Sequence, residues 1–337
     1  MSSLSRLEPS KTAPLQRSPA SGGGTPSGQV GAGQISVVIP TRDRAIWLDL
    51  AIASVLESPL ITSPKQIIVV DDDSRDETEQ VARRRDVTYV RVNYHNISRS
   101  RNAGLALVRT PFVNFLDHDD AWLPGNMEAQ LAALESHPGA AFAYGIAQCT
   151  TEEFVPLPAS TFPSPPLPSG IVPEKIHLGY PNLGVVLFRR EVVDAVGGFD
   201  PRIAYYQDGD LMIRVAARHE IVGVEIVGML HRLRNPSRTR NDYYWANRGV
   251  KNWIPRHVGV GWKAAAKLMF KTRGLFYHRL CEDAFACVDG GHRRDALLCL
   301  SRAFRVSPAH GLRHFRRMAA IFWRCMTAKS LQSSSAH

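Results

Sequence analysis

ISVVIP (35–40), QIIVVD (66–71), VTYVRV (87–92) and FVNFLD (112–117) are four short β-branched runs inside one stretch of the chain, Ile35 to Asp117. Each closes near polar or turn-forming residues. Between the first two, Leu48, Ile52, Val55 and Leu56 recur at helical spacing. Between the second and third, DSRDETEQVARRR opens with acids, which suit the positive end of a helix dipole. SRSRNAGLALV, between the third and fourth, is a shorter helical candidate. Apolar strands alternating with helices predict an α/β fold whose mostly parallel sheet is covered on both faces. Such sheets bind ligands beyond the carboxyl ends of their strands. Three of the four runs end there in Pro-Thr or in clusters of Asp.

Outward from this stretch the character changes. The segment before it, closing on GGGTPSGQVGAG, is rich in Ser, Pro and Gly without apolar periodicity, and reads as a disordered tail over 1–33. It contains no apolar run of the kind a secretory leader needs. Beyond it, FVPLPASTFPSPPLPSG lies in a Pro-rich region (151–182) expected to be a long surface loop. NLGVVLFRREVVDAVGGFD (182–200) reads as strand, helix and turn, QDGDLMIRVAARHE (207–220) as a helix and IVGVEIV (221–227) as a strand. After about residue 260 the pattern is helical, basic and aromatic, and RLCEDAFACVDGGHRRDALLCLSRAFRVSP resembles one paired-helix unit. The expected organisation is therefore a tail, a core over 34–240 and a mainly helical basic C-terminal extension over 241–330.

The 337 residues are 44% hydrophobic and 21% charged, a globular composition. Lys and Arg outnumber Asp and Glu by 41 to 31, for a formal net charge of +10. That excess points to an anionic partner: nucleic acid, a phosphorylated small molecule or a membrane surface. The five cysteines (149, 281, 287, 299, 325) form no C-x-x-C pair, which argues against a disulfide framework or zinc site and for a reducing, cytoplasmic setting. No apolar run reaches the roughly 18–20 residues that span a bilayer.

Two acidic clusters sit at predicted strand ends. Asp71-Asp72-Asp73-Ser74 can be a turn and helix cap or a ligand edge. Asp117-His118-Asp119-Asp120 is harder to explain without a ligand, because carboxylates packed this closely repel one another unless a cation lies among them. The outer pair of Asp-x-Asp suits Mg²⁺ or Mn²⁺, which take oxygen ligands and bridge to phosphates.

VVIPTRDRAIWLDLAIASVL, IIVVDDDSRDET, NISRSRNAGLALVRTPFVNFLDHDDAWLP and LFRREVVDAVGGFD followed by YQDGDLMIR resemble, in order and spacing, the signature blocks of family 2 glycosyltransferases. The resemblance covers about residues 34–240. It implies a GT-A fold, a nucleotide-sugar half before an acceptor half, inverting chemistry and a divalent cation, Mn²⁺ or Mg²⁺. By position it implies that Pro40, Thr41 and Arg44 hold the nucleobase and that Asp71 and Asp72 meet base and ribose. Arg101 and Asn102 fall in the Arg-Asn of the block before the acidic motif, with Arg101 toward the diphosphate. Asp117 and Asp119 match the metal-binding pair, with Asp119 in direct contact. Asp208 matches the general base, Asp210 being the next candidate, and Arg234 aligns with a cation that folds over the diphosphate. Gln207 departs from the usual Glu, and Asp73 from the usual Gly.

The expectation is a metal-dependent inverting transfer of sugar from a nucleoside-diphosphate sugar to a sugar or lipid-linked acceptor, in cell-envelope polysaccharide or glycolipid synthesis. Peripheral contact with the cytoplasmic membrane face fits the basic, aromatic segments KAAAKLMFKTRGLFYHRL (263–280) and HGLRHFRRMAAIFWRCM (310–326), as does ordinary packing. NDYYWANRGVKNW (241–253) has the same two readings. Two other classes compete: a catalytically inactive glycosyltransferase-like partner, and a nucleic-acid-binding protein, for which no recognised module is present. His310 and His314 share helical spacing, but Arg313, Arg316 and Arg317 beside them disfavour a metal. Trp122 reads as a core or wall residue before a sugar platform, and His118 as pointing away from the cation.

Overall fold

The computed structural model describes residues 32–163, 181–203, 206–233 and 293–314, with isolated positions at 167, 169, 170, 277, 280, 281, 284, 316, 319, 320 and 323. The expected tail up to residue 31, Arg234 and the segments 241–253 and 263–276 lie outside those residues.

The four apolar runs become β1 (Ile35–Thr41), β2 (Ile67–Asp72), β3 (Thr88–Val92) and β4 (Phe112–Phe115). They lie in the order β3-β2-β1-β4 and every neighbouring pair is parallel. Parallel neighbours need long crossovers. These are supplied by α1 (Ala45–Leu56), α2 (Thr78–Arg84) and α3 (Ile97–Leu107). α2 is shorter than its acidic opening suggests, because Asp76 instead accepts from the backbone N–H groups of Ala45 and Thr78 and ties the loop to the start of α1.

The second half adds β5 (Ala121–Trp122), α4 (Asn126–Ser136), β6 (Ala140–Thr150), β7 (Pro156–Phe162), β8 (Val186–Arg189), α5 (Arg190–Ala195), α6 (Gln207–Ala216) and β9 (Glu220–Arg232). The sheet continues from β4 as β8-β6-β9-β5, with β7 also on β6. Here the pairing is mixed: β8 is antiparallel to β4 and β6, β5 to β9 and β7 to β6, while β6 and β9 are parallel. Part of the Pro-rich region expected to be irregular is thus a strand. Among the described residues β7 pairs with β6 alone, the edge setting in which residues without an N–H are tolerated.

Both faces are covered, as near-continuous apolar strands require. Val38, Val70 and Phe115 belong to one core cluster with α3 and α6, whereas Val37, Ile39 and Val69 belong to another with α1 and α4. The first cluster also takes in Tyr277, Leu280, Cys281 and Ala284, and Ala296, Cys299, Leu300 and Ala303. The latter four come from α7 (Arg293–Val306), which α8 (Pro308–Arg313) follows. Both quartets repeat with the same helical spacing, so the paired-helix segment buries one stripe against the core.

Candidate active site

The β1–β2 register pairs Pro40 with Val70 and Thr41 with Asp71, which sets the nucleobase-loop candidates beside the first acidic cluster. Asp72 is buried, and its carboxylate accepts from the N–H groups of Tyr94, His95 and Asn96 at 2.6, 2.9 and 3.0 Å and from Ser100 Oγ at 3.1 Å. Burial pushes Asp72 up, but those donors together outweigh it and hold the carboxyl below the usual range. Asp71 accepts from the Ser74 N–H at 2.8 Å and the Tyr89 hydroxyl at 2.7 Å. The pair therefore fixes the loops after β2 and β3. Asp73 explains its own departure: its φ is +64°, a conformation that favours Gly but that Asp tolerates, and Arg91 pairs with its carboxylate at 3.0 Å. Arg44 lies over Trp47, 5.3 Å from the ring centre. Thr41 Oγ1 is buried with no hydrogen-bond partner among the described residues.

Arg101 on α3 reaches Asp117, just beyond β4, at 2.6 Å. Burial pushes Asp117 up, yet the Arg101 guanidinium prevails and its pKa is lowered. The Arg101 side chain is 3% exposed, and its Nε and Nη1 have no partner among the described residues. Asn102 has a different placement. Its amide donates to the Phe199 carbonyl at 2.8 Å and accepts from the Phe199 N–H at 2.9 Å, fastening the Gly197-Gly198 turn on the way to α6.

The rest of the acidic motif is anchored to β9. Asp120 is fully buried, with His231 Nδ1 at 3.0 and 3.1 Å, Asn182 Nδ2 at 3.3 Å and the Arg232 N–H at 3.1 Å. Burial pushes Asp120 up to about 6 against the pull of His231. Burial also works against a charged His231, but Asp120 outweighs it and holds the imidazole at about 9. Each group thus favours the charged form of the other. Arg232 Nε donates to the Asp119 carbonyl at 3.1 Å. His118 Nδ1 lies 3.1 Å from the Pro40 carbonyl, tying the acidic loop to the end of β1.

Asp208 is the second residue of α6, which starts after Tyr206 (φ +71°), and its Oδ1 accepts from the Gly209 N–H at 2.8 Å. Burial raises its pKa, with Arg101 pulling down and Asp117 adding to the rise, so Asp208 shares the electrostatic neighbourhood of both. Asp210 is committed elsewhere: Arg214 holds it at 2.6 and 2.9 Å and also reaches the Val196 and Gly198 carbonyls. It is 1% exposed and has no place as the alternative base.

Asp120 was read only as a member of the acidic cluster, and the roles of Asn182, His231 and Arg232 escaped the reading of the sequence. The signal for the last two was the strand IVGVEIV, which runs on to Arg232 and carries both side chains to the acidic loop. Trp122 is a core residue, its indole N–H donating to the Gly184 carbonyl at 3.0 Å. His310 Nδ1 meets Ser307 Oγ at 2.7 Å, and the ring packs against Tyr277 and His314. Among the described residues no group of three or more His, Cys, Asp or Glu is arranged to hold a metal.

A parallel α/β half with acids at its carboxyl edge, joined to a mixed half that adds a further buried carboxylate, is a GT-A-type domain. Residues 36–197 match the family model for glycosyl transferase family 2, and this part of the chain is a domain of that family. It is 24% identical over 185 residues to an uncharacterized glycosyltransferase of Haemophilus influenzae, a match covering 54% of this chain and 61% of that protein. It is 29% identical over 127 residues to the Campylobacter jejuni GalNAc(5)-diNAcBac-PP-undecaprenol β-1,3-glucosyltransferase, covering 36% and 39%. These matches thus span 61% and 39% of the relatives' lengths, less than two thirds of either. Among solved structures, S. aureus TarS 1–349 in complex with UDP-GlcNAc is similar with TM-score 0.53 and 14% identity, covering 86% of this chain and 89% of that one. The Pyrobaculum calidifontis mannosyltransferase PcManGT in complex with GDP-Man and Mn²⁺ has TM-score 0.53 and 13% identity, covering 88% and 87%.

Proposed function

We propose that this chain is a metal-dependent, inverting glycosyltransferase. It moves a sugar from a nucleoside-diphosphate sugar to the hydroxyl of a sugar or lipid-linked acceptor in cell-envelope polysaccharide or glycolipid synthesis. The observation that carries this reading is Arg101, a buried guanidinium paired with Asp117 and acting electrostatically on Asp208, whose Nε and Nη1 have no partner among the described residues. Buried donors left unpaired are costly, and an anion such as a diphosphate satisfies them.

Pro40, Thr41, Arg44, Asp71 and Asp72 form the nucleoside end, with Thr41 Oγ1 available to the ligand and the two carboxylates also holding their loops. Asn102 positions the turn before α6. Asp208, with its pKa raised by burial, takes the acceptor proton as the new bond forms. Arg101, and Arg234 from outside the described residues, balance the negative charge of the departing diphosphate. Asp117 and Asp119 fit a hard cation: Mg²⁺ and Mn²⁺ shared with a diphosphate need only one or two carboxylates, not a closed protein cage. Bound there by Asp119, with Asp117 beside it, such an ion supplies further positive charge to the leaving group.

The relatives support this reading. The Campylobacter protein is named for a lipid-linked substrate, and PcManGT is a mannosyltransferase bound to a sugar nucleotide and Mn²⁺. The neighbours are bound to two different nucleotides, so the fold leaves the nucleobase open. We place the catalytic domain at 34–240 and the helical extension at 241–330, in a cytoplasmic protein that touches the membrane peripherally.

The test is nucleotide-sugar binding by thermal shift, with and without Mn²⁺, followed by transfer. Asp119→Ala is expected to lose the Mn²⁺-dependent stabilisation, whereas Asp208→Asn keeps it and loses about 10²–10⁴-fold in turnover. A parent chain indifferent to nucleotide sugars that binds DNA with steep salt dependence overturns this reading in favour of a nucleic-acid-binding protein.

A further inference from the structure

Arg232 is the last residue of β9 and is 5% exposed. Its guanidinium carbon sits 4.8 Å from the ring centre of Trp47 on α1 and 4.0 Å from that of Phe154 in the β6–β7 turn. The edge of the same group makes two backbone contacts, Nε to the Asp119 carbonyl at 3.1 Å and Nη1 to the Glu152 carbonyl. Its own N–H donates to Asp120. One side chain thus joins the nucleotide half, the second half and the acidic loop.

From this geometry we infer that Arg232 is a positioning residue that presets Asp119 for a divalent cation, a role that rests on the reading of Asp119 given above. The two aromatic faces fix the plane of the guanidinium, and the fixed plane aims Nε at the peptide of Asp119. Only arginine meets both demands, because lysine has neither a flat face to stack nor a rigid fork of donors. The peptide that carries the carboxylate is then held in place before any ligand arrives, as outer partners do for the direct ligands of metal sites.

The experiment titrates Mn²⁺ into the full chain in the presence of UDP or GDP, whichever stabilises the parent, and follows unbound Mn²⁺ by electron paramagnetic resonance. Arg232→Lys is expected to weaken Mn²⁺ about 10–100-fold, with turnover recovering at saturating Mn²⁺. Phe154→Leu leaves the donors in place and opens one face of the stack at a surface turn. It should weaken Mn²⁺ less, and it keeps the test open if Arg232→Lys does not fold. A merely structural role lowers the melting temperature without moving the Mn²⁺ affinity of the folded protein. Parent-like Mn²⁺ affinity in either folded variant overturns the inference while leaving the metal assignment standing. Parent-like affinity in Asp119→Ala overturns both.

Discussion

Asp72 is the residue whose contribution is simplest to isolate. Its carboxylate accepts three backbone N–H groups from the β3–α3 connection and the hydroxyl of Ser100 on α3. Because its folded pKa lies below the ordinary 3.8, its stabilisation is full above 3.8 and is lost as pH falls through the lower folded value. Asp72→Asn turns an amide NH₂ toward those donors and should cost about 1.5–3 kcal/mol at neutral pH. In urea unfolding across pH, the gap between parent and variant should narrow below 3.8, and a gap that persists unchanged there contradicts the assignment. Asp71, Asp72, Asp117 and Asp119 were legible as a site because each follows an apolar strand, and strand ends are where such sheets gather ligand groups. His231 and Arg232 were not. Their meaning comes from Asp120 and Asp119, more than a hundred residues away, and no local pattern reports that pairing.

Among the elements, α3 most directly links packing to the site, since it carries Arg101 and Asn102 and lies on β1 and β2. Gly104 makes this approach possible: a Cβ there falls 2.4 Å from Val38 Cγ1 and 3.0 Å from Val70 Cγ2. Replacing a helical glycine with alanine ordinarily gains up to about 1 kcal/mol, whereas overpacking a tight core costs about 1–3 kcal/mol. Overpacking is expected to win here, because the nearest atoms are buried strand side chains. Gly104→Ala should therefore lower the urea midpoint and, by lifting α3, weaken nucleotide binding through Arg101. A raised midpoint would mean the strands yield easily. Alternating apolar runs made the strands of the first half visible in the sequence. β7 escaped because its prolines masked a strand whose one neighbour among the described residues is β6.

At the scale of the whole molecule, the C-terminal helices present two unlike faces. Ala296, Cys299, Leu300 and Ala303 are buried in the core, while Arg294, Leu297, Leu298, Phe304 and Arg305 of the same helix are exposed. Leu312 and Trp323 further on are about 70% exposed. From Ala296 to His337 the sequence holds no Asp or Glu, yet it includes Arg302, Arg305, Arg313, Arg316, Arg317, Arg324 and Lys329. Among the described residues no helix is long and apolar enough to cross a membrane. Exposed apolar side chains among arginines, with Asp295 the last acid in the sequence, are suited to lying on an anionic bilayer. The proposed peripheral contact thus predicts that the full chain sediments with vesicles containing anionic lipid and not with neutral ones. Raising the salt should weaken that association, since exposed charges are screened within about 10 Å at 0.1 M. Replacing Leu298, Phe304 and Leu312 together with serine leaves the buried stripe intact and should abolish sedimentation while the melting temperature holds. Equal, negligible sedimentation under every condition would reduce the helices to a cover for the core. Loss of the contact without loss of transfer to a soluble acceptor would assign the basic face to locating the enzyme at lipid-linked substrates and leave the chemistry to the strand ends.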